Sequence, residues 1–127
     1  MKAADFRRIA LGMNAAVEGE HMGHPDFRAN GRIFATIHED HQSGMVRLTP
    51  DQQEKLVREH VATFAPENGA WGRQGCTRVR FDSVDEETVG DAMTLAWQNT
   101  ASKGKGSSKS RAVLKRAVRS TRPARGR

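Results

Sequence analysis

Residues Asp26-Phe-Arg-Ala-Asn-Gly-Arg-Ile-Phe-Ala-Thr-Ile37 decide the fold. Asn30-Gly31 at their centre suits a tight two-residue turn, because Asn and Gly accept positive φ at little cost. The flanks alternate, with the period of a half-buried strand. The stretch predicts a β-hairpin, and hairpins build antiparallel sheets.

Working outward, a polar loop at 38–44 leads to a further strand at 45–48. Thr49-Pro-Asp-Gln52 then carries the marks of a helix start: Thr49 caps, Pro50 takes the first helical position, and Gln52 reaches back. Leu56, Val57, Val61 and Phe64 form the apolar stripe of that helix. Upstream, Phe6, Ile9, Ala10 and Met13 predict an amphipathic first helix, and 15–24 reads as a short strand and a turn.

Downstream, Asn68-Gly-Ala-Trp-Gly-Arg-Gln-Gly-Cys-Thr-Arg-Val-Arg80 clusters three glycines around a Trp. Clustered glycines mark a backbone path that side chains would block, so a shaped loop is expected there. A strand follows at 77–82, Ser83-Val-Asp-Glu86 has capping-box spacing, and Val89, Ala92, Met93, Ala96 and Trp97 line a last helix. The order predicts an α+β domain, an antiparallel β-sheet packed with about three helices.

Composition changes at Ala101. Residues 1–100 hold 11 Lys/Arg and 15 Asp/Glu, a net of −4, whereas 101–127 hold 10 Lys/Arg and no acid, a net of +10. The expected organisation is therefore a domain at 1–100 and a disordered basic tail at 101–127, too poor in apolar residues to offset chain entropy. Residues 112–118 suit a helix formed on a partner. No apolar run is long enough for a membrane span, and no secretory core follows Lys2, so a cytoplasmic protein without a membrane partner is expected. One cysteine, Cys76, excludes an internal disulfide.

The residues just read resemble the MmcQ/YjbR-like family of small bacterial proteins. The resemblance rests on Asp5-Phe-Arg, Gly23-His-Pro-Asp-Phe27, Gly31-Arg-Ile-Phe-Ala35, Leu48-Thr-Pro-Asp-Gln-Gln53, Gly69-Ala-Trp-Gly-Arg-Gln-Gly75 and Trp97, in that order. It implies a compact α+β fold. Such proteins are commonly labelled DNA-binding, because their fold is similar to a double-wing domain of a phage transcription activator. Position 76, often aromatic in them, is Cys76 here, and the tail lies beyond the resemblance.

Function is read from three groups of residues. In the proposed strands the apolar residues alternate with Arg28, Arg32, Arg47, Arg78 and Arg80, and with Phe34. One sheet face carrying these would contact phosphates and stack on bases; the plainer alternative is a solvated face balanced by acids such as Asp26 and Asp82. Arg73 and Gln74 beside Trp71 are able to make bidentate contacts to base edges. Trp71 either projects with them or closes the core, and burial is the expectation for a residue of its size. In the tail, Lys103, Lys105, Lys109, Arg111, Lys115, Arg116, Arg119, Arg122, Arg125 and Arg127 would bind phosphate backbones without sequence preference.

Other chemistry finds less support. His21 and His24, and His38 and His41, have ligand spacing but no convergent third ligand in the sequence, so no metal is assigned. Ser43, Ser83 and Cys76 are nucleophiles by residue type alone, and no catalytic residue or cofactor is assigned. The glycines lack a dinucleotide fingerprint and a phosphate-loop lysine. The expected function is non-enzymatic nucleic-acid binding, with DNA favoured. The alternative is an adaptor for a small anionic ligand or a protein, signalled by an apolar pocket beside Trp71 with Arg73 converging on it.

Overall fold

The computed structural model describes residues 1–101. The tail cations, the expected disorder and the partner-induced helix at 112–118 lie outside the described residues. In chain order the elements are α1 (Ala3–Leu11), β1 (Val17–His21), β2 (His24–Ala29), β3 (Arg32–Ile37), β4 (Ser43–Arg47), α2 (Pro50–Glu59), β5 (Phe64–Pro66), α3 (Gly69–Arg73), β6 (Cys76–Arg80), a 3-10 turn at Phe81–Ser83, and α4 (Glu86–Ala101). The strands form one sheet in the order β1-β2-β3-β4-β6-β5, every pair antiparallel. This is the α+β architecture read from the hairpin. Among the described residues no helix is long and apolar enough to cross a membrane.

The hairpin turns where Asn30-Gly31 predicts, with φ of 54° and 74°. Helices α1 and α4 pack on one face of the sheet. Phe6 and Ala10 of α1 and Val89, Ala92, Met93 and Ala96 of α4 are buried there, so both helical stripes face the core. The Phe6 ring meets Phe27 edge-on at 6.4 Å and Phe81 at 5.0 Å. It lies over Gly44, where a Cβ would come within 3.0 Å of the ring and 2.7 Å of the Thr36 carbonyl oxygen.

The α2 capping box forms as read: Gln52 N–H donates to Thr49 Oγ1 (3.2 Å) and Thr49 N–H to Gln52 Oε1 (2.9 Å). The helix is shorter than its stripe predicts. It ends at Glu59, His60 leaves helical geometry, Val61 is 80% exposed, and Phe64 reaches the core from β5 opposite Val79. Strand β6 likewise ends at Arg80, and Phe81 enters the core from the 3-10 turn. The cap of α4 is Asp85, whose Oδ1 accepts from Thr88 N–H at 2.7 Å, rather than Ser83, whose hydroxyl donates to the Ala62 carbonyl.

The glycine-rich segment is not a loop throughout, since Gly69–Arg73 forms the short helix α3. Gly72 packs on the Glu67 backbone, and Gly75, at φ of 112°, packs on the Leu48 carbonyl, each too closely for a side chain. Gln53 of α2 is buried against this turn. Its Nε2 donates to the carbonyls of Gly72 (3.0 Å) and Cys76 (3.1 Å) and lies 3.2 Å from Thr77 Oγ1.

Candidate functional site

Antiparallel pairing sorts the strand residues into two faces. Phe27, Ala35, Val46 and Thr77 stand side by side across β2, β3, β4 and β6, and all four are buried. Asp26, Thr36, Met45, Arg78 and Ala65 form the neighbouring row, on the opposite face because alternate residues point oppositely. Arg28, Arg47 and Arg80 share the parity of that second row in their strands. The sheet thus has an open face that gathers four of the five predicted arginines.

The fifth does not join them, and neither does Phe34. A bulge lies in the β2–β3 pairing, where Phe27 is opposite Ala35 but Arg28 is opposite Ile33. Phe34 is the extra residue, and the phase of β3 changes across it. Phe34 is fully buried and packs in the core, which corrects its assignment to the basic face. Ile33 takes a place on the open face, and Arg32 lines a smaller cavity of about 180 Å³ toward α2 and α4, with Arg47, Thr49, Gln74 and Asn99.

Trp71 is also corrected: it is 62% exposed. The side of α3 that packs inward presents Gly72, whose contact with the Glu67 backbone leaves no room for a ring, and Trp71 is turned outward. It borders a groove of about 550 Å³ on the open face. Exposed Met22 borders it as well, and Ile33, Met45, Arg47 and Cys76 contribute to its lining. Arg73 is exposed and does not line the groove, and Gln74 belongs to the smaller cavity.

The polar side chains of the open face fall into bonded and unbonded groups. Arg28 is bidentate to Asp26, at 2.9 and 3.0 Å. The Asp26 carboxylate is fully buried and lies beneath Gly19, where a Cβ would come within 2.9 Å of Oδ1. The bonds it donates to Asp26 raise the Arg28 guanidinium above its ordinary pKa. Arg78 approaches Glu67 at 3.8 Å and Arg80 approaches Asp82 at 3.7 Å. Arg32 and Arg47 have no ion-pair partner among the described residues. The face is therefore basic in part and interrupted by acids.

His38 lines the groove too. Its Nε2 is 2.8 Å from Glu67 Oε2 and its Nδ1 is 2.8 Å from Ser43 Oγ. A carboxylate only accepts, so Nε2–H donates to Glu67, and in the neutral ring Nδ1 accepts from the Ser43 hydroxyl. The order serine, imidazole, carboxylate is that of an activated nucleophile. Here, however, Ser43 is 4% exposed and does not line the groove, so the chain fixes the ring rather than presenting an alkoxide. Burial pushes the Cys76 thiol up against the pull of nearby Arg47, which keeps the sulfur protonated. Among the described residues no group of three or more His, Cys, Asp or Glu is placed to hold a metal ion.

Met22, Met45, His38, Glu67 and Asn68 line the groove but were absent from the site read in the sequence. Met45 had a signal, since it is an apolar residue at the solvent-facing parity of β4. Glu67 and Asn68 had none, because they reach the site through the packing of α3.

The YjbR family model matches residues 11–99. A crystal structure of the Deinococcus radiodurans protein DR2400, described as a DUF419 domain, is similar with a TM-score of 0.69. The two share 18% identity over 83% of this chain and 82% of that one, a likeness of fold. No curated protein matches in sequence. With a family match spanning most of its length, the chain belongs to the YjbR family.

Proposed function

We propose that the protein binds nucleic acid, DNA in preference, through the open face of its sheet. The observation that carries this reading is the exposed Trp71 ring beside a groove that Arg47 also lines, with Arg78 and Arg80 on the same face. An aromatic next to guanidinium groups suits a base and its phosphates. The described domain is acidic as a whole, so cations concentrated on one face matter more than its net charge. The ten cations of the tail add affinity for phosphate backbones that is independent of sequence and sensitive to salt.

The groove supports a second reading. Its apolar lining and the single cation Arg47 suit a small anionic ligand, although the arginine is not Arg73 as the sequence suggested. Fluorescence anisotropy separates the two. Labelled duplex and single-stranded probes are titrated with the full chain and with a chain ending at Ala101, at two salt concentrations. Binding by both chains supports the sheet face. Binding by the full chain alone assigns affinity to the tail, and binding by neither removes the nucleic-acid reading.

A further inference from the structure

Two cavities adjoin on the molecule. The Trp71 groove and the smaller cavity share Ile33 and Arg47 in their linings. Their chemistry differs in a way that matches the parts of one nucleotide. Trp71, Met22, Met45 and Ile33 give the groove apolar walls, and its volume falls within the roughly 300–1,000 Å³ of small-molecule sites. Thr36 and Asn68 also line it, and neither side chain is hydrogen-bonded among the described residues, so both are free to meet a polar edge.

The smaller cavity is cationic. Of its polar side chains, Asn99 is bonded to the Arg47 carbonyl and Gln52, Thr49 caps α2, and Thr100 is held by Asn30 and the Trp97 carbonyl. What remains for a ligand is Arg32, Arg47 and Gln74, all exposed donors. Two guanidinium groups without carboxylate partners, lining one cavity, suit a phosphate.

We propose that the two cavities form one pocket for an unpaired nucleotide, the base against Trp71 and its phosphate between Arg32 and Arg47. The inference rests on the nucleic-acid reading and sharpens it. A base inside a duplex keeps its faces stacked on neighbours and cannot enter the groove without leaving the helix, which costs free energy. The pocket therefore selects single-stranded or extruded nucleotides over intact duplex.

The test uses the full chain, with anisotropy of a labelled single-stranded oligonucleotide and of its blunt duplex. The native chain is compared with Trp71→Ala, Trp71→Phe and the pair Arg32→Gln with Arg47→Gln, each checked for folding by circular dichroism. Single strand is expected to bind more tightly than duplex. Trp71→Ala should weaken single-strand binding about tenfold and duplex binding less, with Trp71→Phe showing only part of the single-strand loss. The arginine pair should weaken single-strand binding and lower its salt slope by up to about 1.4. Equal affinity for both forms, or an equal response of both to Trp71→Ala, overturns the pocket while nucleic-acid binding by the chain stands. Failure of the native chain to bind either form overturns the reading itself.

Discussion

His38 Nε2 lies 2.8 Å from Glu67 Oε2, joining residues 29 positions apart. The bond ties the loop after β3 to the residue that precedes α3, and Gly72 of α3 packs on the backbone of that same Glu67. The placement of Trp71 at the groove thus depends on Glu67 twice, through its side chain and its main chain.

Replacing Glu67 should separate stability from binding. Glu67→Ala removes the partner of His38 and is expected to cost about 1–2 kcal/mol in urea denaturation. Glu67→Gln keeps an acceptor for His38 but removes the charge facing Arg78, so affinity for nucleic acid should rise with a smaller loss of stability. Anisotropy at moderate salt reads the second effect. A fall in affinity for Glu67→Gln would contradict a role for Arg78 in binding.

Phe34→Ala should destabilise by about 3–5 kcal/mol, as truncation of a buried aromatic does. A stacking residue on the open face would show the reverse, with stability retained and binding lost. Chemical denaturation alone decides between these positions.

Glycines of the 68–75 segment should differ in their tolerance of alanine. Gly69 has φ of 68° but open space around its missing side chain, so Gly69→Ala should cost about 1 kcal/mol from backbone strain. Gly75 combines φ of 112° with backbone contact at Leu48, and Gly75→Ala should cost at least about 2 kcal/mol. Melting temperatures of the two variants give the ranking, and equal losses would contradict the close packing at Leu48.

The cap of α4 predicts an acid-side effect. The backbone N–H of Thr88, above all, holds the Asp85 carboxyl below its ordinary value of 3.8. A carboxyl depressed on folding stabilises the fold above its ordinary pKa, and that contribution is lost as pH falls through the lower folded value. Asp85→Asn caps comparably without titrating. Its stability should match the native chain near neutral pH and decline less steeply below about pH 4. Identical thermal melts across that range would show that the carboxylate makes no such contribution.

Local patterns carried most of the fold. Asn30-Gly31 fixed the hairpin, Thr49-Pro50 fixed the start of α2, and the stripes of α1 and α4 face the core as their spacing requires. The short β5 left no such pattern, because its three residues are defined by pairing with β6. At the site, alternation placed Arg28, Arg47, Arg78 and Arg80 correctly. It misplaced Arg32 and Phe34, since a bulge is set by packing between strands and leaves no mark in a twelve-residue pattern. Trp71 was misjudged because residue size favours burial, while the decisive contact was the backbone approach of Gly72 to Glu67.

The bulge at Phe34 acts on the open face as a reading frame acts on a message. Every side chain of β3 before it is assigned by one phase, and every side chain after it by the other. Loss of a single residue there would remove the bulge and set Ile33 and Ala35 in direct alternation opposite Arg28 and Phe27, each on the face it now holds. The bulge is thus one residue of slack in β3: the strand can shorten by one and keep its two surfaces, at the cost of a core ring.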